Sequence, residues 1–364
     1  MSITQRGAVS TLIDDFRKLL LTFSIALATG WGFLALNMPA PFLMGSLFGV
    51  WIFGSVFRSS RQHLGVARWF HVPVIFGLGV LIGANFRADM LAQISQWGDT
   101  VLIMVVTTVL VSFIGYIFLN KFRGYEPRLA FLCCIPGGQA EALALARDTV
   151  DQDYVVALFH LVRVVFVFVS MPLLLAVVEG NVAVEASSIA LQTMPSILDL
   201  GFQEIASFLA IAFGGYLLAR WCRVPMSHLL GPMGLSSFFH VIGWVELPRV
   251  HEFVLLAQLA IGGGVGARLA RVPFTEVVEH LKIASINTLM ILTAYLCAAS
   301  IIAVSGNIEF LTIWMAFVPG GLYEVTLLAL IFGFDVAFVA FHHTVRVVMI
   351  FLSMPLIVSS LGKR

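Results

Sequence analysis

Two stretches of the sequence place a carboxylate just after a Pro-Gly-Gly triplet, inside segments that are otherwise apolar: CIPGGQAE at 134–141 and FVPGGLYE at 317–324. Proline removes a backbone donor and glycine loosens a helix, so each triplet predicts an interruption, with a new half-helix beginning directly after the second glycine. The first N–H groups of that half-helix lack intrahelical partners and favour a negative charge. Glu141 and Glu324 fall in its first turn, where each is expected to cap the half-helix, carry a proton or help to bind a cation.

A second pair of stretches, HLVRVVFVFVSMPL at 160–173 and HTVRVVMIFLSMPL at 343–356, adds imidazole and guanidinium groups. A helix turns about 100° per residue, so the His, Arg and Ser of each stretch share one face. An arginine inside an apolar helix costs roughly 2.5–3.5 kcal/mol on insertion scales, so each must face a partner or water. The two glutamates are the expected counter-charges. Either these pairs only clamp the broken segments, or the arginines hold an anionic substrate while a glutamate or histidine manages a coupling proton.

The candidate site therefore combines the two triplets with the Glu, His and Arg of each copy. The substrate- or ion-binding candidates are Pro136, Gly137, Gly138, Glu141, His160, Arg163, Pro319, Gly320, Gly321, Glu324, His343 and Arg346. Secondary candidates, on or beside the same helix faces, are Asp153, Ser170, Asp335 and Ser353. His342 breaks the symmetry, because Phe159 occupies the matching position, and it is interpreted as incidental. No catalytic residue, metal ligand or cofactor is predicted.

These stretches are parts of an internal duplication. Pro136 and Pro319 are 183 positions apart, and the same offset pairs the Glu, His and Arg of the two copies. Farther upstream, MPAPFLMG at 38–45 resembles VPMSHLLG at 224–231 at an offset of 186. Agreement over this length indicates a repeated structural unit. The predicted organisation is a cytoplasmic N-terminal arm (1–18), a first membrane repeat (19–178), an external linker (179–203) and a second membrane repeat (204–364).

The composition indicates that lipid is the solvent. Of the 364 residues 60% are hydrophobic and 11% are charged, whereas a soluble domain carries about 25% charged residues. The predicted fold class is an all-α polytopic membrane protein, because a membrane β-barrel would instead show alternating segments of about ten residues. It has about ten membrane-crossing helices and two broken segments, re-entrant or unwound, at 128–147 and 310–332. The crossing runs lie at 19–37, 40–57, 69–86, 100–119, 154–178, 204–222, 228–245, 253–269, 283–304 and 337–360.

Lys and Arg favour the cytoplasmic side of short loops, and their distribution predicts the topology. Arg17 and Lys18 place the amino terminus inside, whereas the linker at 179–203 has no Lys or Arg and is expected outside. An odd number of crossings in each half fits this pattern. The halves then form an inverted repeat with five crossings each and both termini in the cytoplasm. A parallel repeat of twelve crossings would put the linker inside and several arginines outside, and it fits less well.

Charge and cysteine content exclude other classes of site. A net charge of +1 leaves no basic stripe for nucleic acid, and the four cysteines lack the spacing of metal ligands. The first apolar run lacks a clear cleavage site and is expected to be retained rather than removed as a signal peptide. The expected partners are the lipid bilayer and a small-molecule or ion substrate, with a homodimer left open as the assembly.

The motifs PGGQAE and PGGLYE, each followed by H-x-x-R-V and S-M-P-L, resemble those of the AbrB-type integral membrane protein family of bacteria. The resemblance covers nearly the whole chain, and both motif copies are intact. It implies a fold similar to that of inverted-repeat transporters with broken helices, in the bacterial inner membrane. Names used for the family include an ammonia monooxygenase and a regulator of gene expression, and the resemblance implies no substrate.

The leading hypothesis is a secondary transporter of a small solute, an organic anion coupled to H⁺ or Na⁺, with its site between the two breaks. An enzyme is not expected. The first alternative is a membrane metalloenzyme of monooxygenase type, in which the Glu and His of both copies would converge on a metal ion. The arginine three residues after each histidine argues against it, since it would repel a cation. The second alternative is a non-transporting membrane regulator of gene expression, which would need a soluble partner.

Overall fold

The computed structural model describes most of the chain and is helical throughout the part that it describes. The described residues are 3–90, 93, 95–178, 180, 193–273, 277–305 and 308–361, and they contain no β-strand. This confirms the all-α fold class. The predicted linker at 179–203 is described only at residue 180 and from residue 193 onward, so most of it lies outside these ranges, as do the basic residues Lys363 and Arg364.

The helices follow the same order in both halves of the sequence. In the first half they are α1 (Ile3–Ala35), α2 (Pro41–Val56), α3 (Arg68–Gly83), α4 (Gly98–Ile117), α5 (Pro127–Cys134), α6 (Gln139–Thr149) and α7 (Asp153–Val178). In the second half they are α8 (Phe202–Trp221), α9 (Ser227–Val241), α10 (His251–Ala270), α11 (Val278–Ser305), α12 (Phe310–Phe317), α13 (Leu322–Phe332) and α14 (Val336–Ser360). A π-helical turn at Phe118–Phe122 extends α4.

Within the described ranges, seven helices are long and apolar enough to cross a membrane, and the chain is a multi-pass membrane protein. They are α1 from Thr11 onward, α4 with its π-helical turn, α7, α8, α10, α11 and α14.

The other three predicted crossings, α2, α3 and α9, have 16, 16 and 15 residues, short of the roughly 20 that span a bilayer at right angles. Backbone geometry shortens α9 at both ends, because Met226 (φ 46°) precedes it and Gly243 (φ 72°) follows it. The predicted arm at 1–18 is helical from Ile3 and continues into the first apolar run. The inverted orientation of the two halves stays a prediction.

The chain forms two compact units, and each unit takes the corresponding helices from both repeats. The first unit comprises residues 1–84 and 175–272, and therefore α1–α3 with α8–α10. Inside it α2 packs closely on α10. A Cβ atom added to Gly262 of α10 would overlap the Ser46 hydroxyl of α2, so the glycine-rich stretch of α10 permits close helix packing, as expected for membrane helices.

The second unit comprises residues 85–174 and 273–364, with α4–α6 and most of α7 from the first repeat and α11–α14 from the second. In this unit α11 packs on α4 and α12, while α14 contacts α4, α6, α12 and α13. Both Pro-Gly-Gly segments and both arginine-bearing helices, α7 and α14, belong to it. The arrangement of this unit therefore decides whether the predicted site exists.

Candidate functional site

Both Pro-Gly-Gly segments interrupt a helix as predicted. The first break follows α5, which ends at Cys134, and α6 begins at Gln139; the second follows α12, which ends at Phe317, and α13 begins at Leu322. In both repeats the half-helix before the break has 8 residues and the half-helix after it has 11. The first break requires glycine, since Gly137 and Gly138 have φ angles of 136° and 59°.

Each break packs against the arginine helix of the other repeat. A Cβ atom built on Gly137 would lie 3.1 Å from Ile350 Cδ1 of α14, and one built on Gly320 would lie 3.1 Å from Val167 Cγ1 of α7. Gly137 and Gly320 are repeat equivalents, and so are Val167 and Ile350. The two contacts are therefore related by the internal duplication. They bring both breaks into one buried region of the second unit.

Arg346 lies between the two breaks. Its Nη1 donates to the Phe317 carbonyl oxygen at 2.9 Å and its Nη2 to the Gly320 carbonyl oxygen at 3.2 Å. Phe317 ends α12, and carbonyls at a helix C-terminus carry partial negative charge, so the guanidinium is stabilised by a half-helix end. On its other side, a Cβ atom on Gly137 of the first break would lie 3.8 Å from Arg346 Nε. The side chain is fully buried, and Nε has no hydrogen-bond partner.

Arg163, the repeat equivalent of Arg346, is nearly as buried, with 4% of its surface exposed. Its Nη2 donates to His160 Nδ1 at 2.8 Å, and its Nε also lacks a partner. The two guanidinium groups lie close enough to repel each other electrostatically. Two buried cations therefore lie in the second unit, and the Nε–H of each has no hydrogen-bond partner.

The two repeated histidines make the same pair of contacts. Nε2 of His160 donates to the Leu132 carbonyl at 3.0 Å, and Nε2 of His343 donates to the Met315 carbonyl at 2.9 Å. On the other edge of each ring, Nδ1 accepts from the arginine three residues later, at 2.8 Å in both copies. Because a carbonyl can only accept and a guanidinium can only donate, each ring is neutral with its hydrogen on Nε2. In this arrangement neither ring has a nitrogen free for a proton or a metal ion.

The two glutamates occupy the third position of α6 and α13, at the N-terminal ends of these half-helices. The Glu324 side chain is buried and turns back over Gly321, where a Cβ atom would collide with its carboxylate. Glu141 is half-buried, and its Oε2 lies 3.7 Å from a Cβ atom built on Gly138. Both carboxylates thus lie near backbone N–H groups that favour negative charge.

The ion pairs found in the described ranges do not include Arg163 or Arg346. They join Arg87 to Asp89, Arg147 to Asp153 and Lys282 to Glu279, all with exposed side chains. The expected glutamate–arginine pairs are therefore not among them. Each break has two polar helix ends, and the charged side chains lie at different ones. The carboxylates lie at the N-terminal ends of the half-helices that follow the breaks, whereas Arg346 binds the C-terminal carbonyl of α12.

The secondary candidates make local contacts within their own segments. Asp335 caps α14 by accepting from the Phe338 N–H at 2.9 Å, and Asp153 lies 3.9 Å from Arg147. The hydroxyls of Ser170 and Ser353 donate to the carbonyls three residues earlier, Val167 and Ile350. Their described contacts do not reach the arginines.

A family comparison covers most of the chain. The family model described as "Transition state regulatory protein AbrB" matches residues 47–362. The chain belongs to the AbrB family. The match includes both breaks and both arginine helices.

Two curated relatives of this AbrB-family chain are similar to it over most of their length. "Putative regulator AbrB" of Escherichia coli (strain K12) is 23% identical over 336 residues, covering 92% of this chain and 93% of the relative. "Uncharacterized protein YhjN" of Bacillus subtilis (strain 168) is 21% identical over 291 residues, covering 76% and 75%. No solved structure matches the chain.

The candidate site contains two hydroxyl-bearing residues that the sequence did not indicate. Tyr295 of α11 is fully buried, its hydroxyl lies 2.7 Å from the Thr108 hydroxyl, and it interacts electrostatically with the Arg346 side chain. Tyr295 is a lone aromatic hydroxyl inside the long apolar run at 283–304. A single tyrosine in an apolar run could have marked this position in the sequence. Its partners become evident only from the packing of α11 on α4.

An apolar cleft of about 360 Å³ adjoins the first break in this AbrB-family protein. It lies between α4 and α14 at the end of α5, and Ile135 and Ile350 connect it to the break. Its polar lining residues are Thr108, Ser112, Tyr116 and Ser353.

The metalloenzyme hypothesis requires the Glu and His of both copies to converge on one metal ion. In the part of the AbrB-family chain that the structure describes, no three His, Cys, Asp or Glu side chains are grouped so that they could share a metal ion.

Proposed function

We propose that this protein is a secondary transporter of a small organic anion, coupled to H⁺ or Na⁺, in the bacterial inner membrane. Its substrate site lies in the second unit, between the two breaks. The two halves form an inverted repeat, with five crossings each and both termini in the cytoplasm. Paired discontinuous helices around a central site are typical of transporters with inverted repeats.

The observation that carries this proposal is the pair of buried arginines. Arg163 and Arg346 come from equivalent positions of the two repeats, repel each other, and each keep one unpartnered Nε–H. Leaving a buried donor unsatisfied costs about 1–3 kcal/mol, and more for a charged group. A bound anion would supply both the missing negative charge and an acceptor for each Nε–H.

A carboxylate suits these donors because its two oxygens could each accept from one arginine. The apolar cleft beside the first break gives room for a short hydrocarbon body attached to that carboxylate. Both arginines are buried, so the site is closed to water. A closed arrangement is one of the states that an alternating-access cycle needs.

Uptake into proteoliposomes tests the proposal. Purified protein is reconstituted and supplied with radiolabelled acetate, lactate, succinate or benzoate, with and without imposed pH and Na⁺ gradients. We expect gradient-dependent accumulation of at least one of these anions, and its loss in the double variant Arg163→Gln, Arg346→Gln. Arg147→Gln is the matched control, since that arginine lies on the exposed surface of α6. Uptake that persists in the double variant would exclude the arginines from the mechanism.

Regulation of gene expression is a second candidate, favoured by the names of the matching family and of the Escherichia coli relative. A membrane regulator of this kind would act through a soluble partner. Copurification of such a partner, together with the absence of any solute flux, would favour regulation over transport.

A further inference from the structure

Three buried histidines lie in the second unit, and one of them differs from the other two. His160 and His343 are each fixed between a carbonyl and a guanidinium, as described above. His342 is also fully buried, but it contacts no arginine nitrogen in the described hydrogen bonds. Its Nδ1 donates to the Phe338 carbonyl at 2.8 Å, and its Nε2 lies 2.9 Å from the Thr100 hydroxyl oxygen.

The Thr100 hydroxyl has two partners at equal distance. It lies 2.9 Å from His342 Nε2 and 2.9 Å from the Trp97 carbonyl oxygen. When the imidazole is neutral, the hydroxyl donates to Nε2. When the imidazole is protonated, Nε2–H donates to the hydroxyl oxygen and the hydroxyl turns to donate to Trp97. His342 can therefore gain or lose a proton while both of its ring nitrogens and the Thr100 hydroxyl keep a hydrogen-bond partner.

We propose that His342 binds the coupling proton of the transport cycle, with the Thr100 hydroxyl switching between His342 and Trp97. This inference rests on the proposed transport function. It assigns H⁺ as the coupling ion and assigns its site to a position at which the two repeats differ, since the first repeat has Phe159 there.

The surrounding charges set the direction of coupling. The electrostatic partners described for His342 are Arg346, one helical turn away, and His343. The charged and titratable groups on the helices packed against α14 are as follows: none on α12, Asp99 and Tyr116 on α4, Tyr323 and Glu324 on α13, and Glu141, Arg147 and Asp148 on α6.

A proton on His342 adds positive charge next to Arg346 and so strengthens the binding of an anion. By linkage, a bound anion favours protonation of His342 to the same extent. Anion and proton therefore move together, as in a symporter. The switch lies at the N-terminal end of α4, where Gln96, Gly98 and Asp99 are exposed, so a proton can reach Thr100 from that end.

Histidine NMR tests proton binding without any need for a substrate. The full-length protein, with ¹⁵N-labelled histidines and reconstituted in nanodiscs, is titrated between about pH 4 and pH 9. His342→Phe, which introduces the residue of the first repeat, identifies the His342 signal. We expect this signal to titrate, and the signals assigned with His160→Asn and His343→Asn to keep the neutral Nε2–H form. A His342 signal that does not titrate would overturn the proposal.

Transport in proteoliposomes tests the coupling. For an anion that the wild-type protein carries, a pH-sensitive dye reports proton movement alongside solute uptake. We expect His342→Phe and Thr100→Val to reduce accumulation driven by a pH gradient by roughly tenfold or more, and Thr100→Ser to restore it. His63→Phe, at an exposed histidine outside the second unit, is the control.

Proton-driven accumulation that survives in His342→Phe would overturn the assignment. If the wild-type protein carries no anion, the proposed function fails, and the NMR titration alone decides whether His342 takes up a proton.

Discussion

Arg346 Nη1 donates a 2.9 Å hydrogen bond to the carbonyl oxygen of Phe317, the last residue of α12. The C-terminal end of the half-helix α12 thus provides a hydrogen-bond acceptor for a guanidinium that is buried in an apolar unit. This relationship explains why a proline and two glycines follow Phe317 so closely. A continuous helix would use the Phe317 carbonyl internally, and the break leaves it free to accept from arginine.

Arg346 should contribute more to stability than Arg163. Arg346 donates hydrogen bonds to two carbonyls and an imidazole, whereas the described hydrogen bond of Arg163 is to an imidazole. Loss of a buried charged partner typically costs about 3–5 kcal/mol. We therefore expect Arg346→Ala to lower the unfolding temperature in detergent clearly further than Arg163→Ala does. Equal losses would contradict the asymmetry, and Arg147→Ala should change stability by less than about 0.5 kcal/mol.

The contact between Gly320 and α7 can be tested by overpacking. A Cβ atom on Gly320 would lie 2.5 Å from Val325 and 3.1 Å from Val167. Gly320→Ala should destabilise the protein by about 1–3 kcal/mol, and Val167→Ala in the same chain should recover part of that loss. Gly234→Ala is the control that should not destabilise the protein, because a Cβ atom there meets nothing within 4 Å. Strictly additive effects at Gly320 and Val167 would show that the second break does not touch the arginine helix of the first repeat.

His160 and His343 should contribute equally to the stability of the protein. His160 and His343 each donate to a carbonyl and accept from an arginine, at nearly identical distances. His160→Phe and His343→Phe should each cost about 1–3 kcal/mol, because each leaves one carbonyl and one guanidinium N–H without a partner. Thermal unfolding of both variants measures this. A loss of stability at one position with none at the other would refute the equivalence of the two histidines.

Tyr295 should act together with Thr108 and Arg346. Tyr295→Phe removes the hydroxyl that forms a hydrogen bond with Thr108 and interacts electrostatically with Arg346, and it should cost about 1–2 kcal/mol. In a double-mutant cycle with Thr108→Val, the two losses should add to more than the loss in the double variant, since both substitutions remove the same 2.7 Å bond. Additive losses would mean that this bond contributes nothing measurable.

The sequence predicted correctly the features of the fold that depend on local backbone chemistry. The half-helices begin at Gln139 and Leu322, directly after the glycines, because proline and glycine act on their own segment of backbone. Residue spacing also placed His343 and Arg346 on one helix face, and they form a hydrogen bond there.

Partners across the unit could not be predicted in the same way. The sequence suggested that the glutamates neutralise the arginines, because opposite charges at equivalent positions are a natural pair. In the structure Arg346 instead donates to the carbonyls of Phe317 and Gly320, and Tyr295 is its electrostatic partner. Backbone carbonyls carry no sequence signal. The contact with Tyr295 depends on how α11 packs, which periodicity within one helix does not encode.

A structure of the protein in nanodiscs, solved with the anion that it accumulates, tests whether the two arginines bind the substrate. We expect density for that anion between α7 and α14, within hydrogen-bond distance of both Arg163 Nε and Arg346 Nε. We also expect the density to be absent in the double variant Arg163→Gln, Arg346→Gln. A Glu141 or Glu324 carboxylate paired with either arginine, or an anion bound away from both guanidinium groups, would contradict the proposed site.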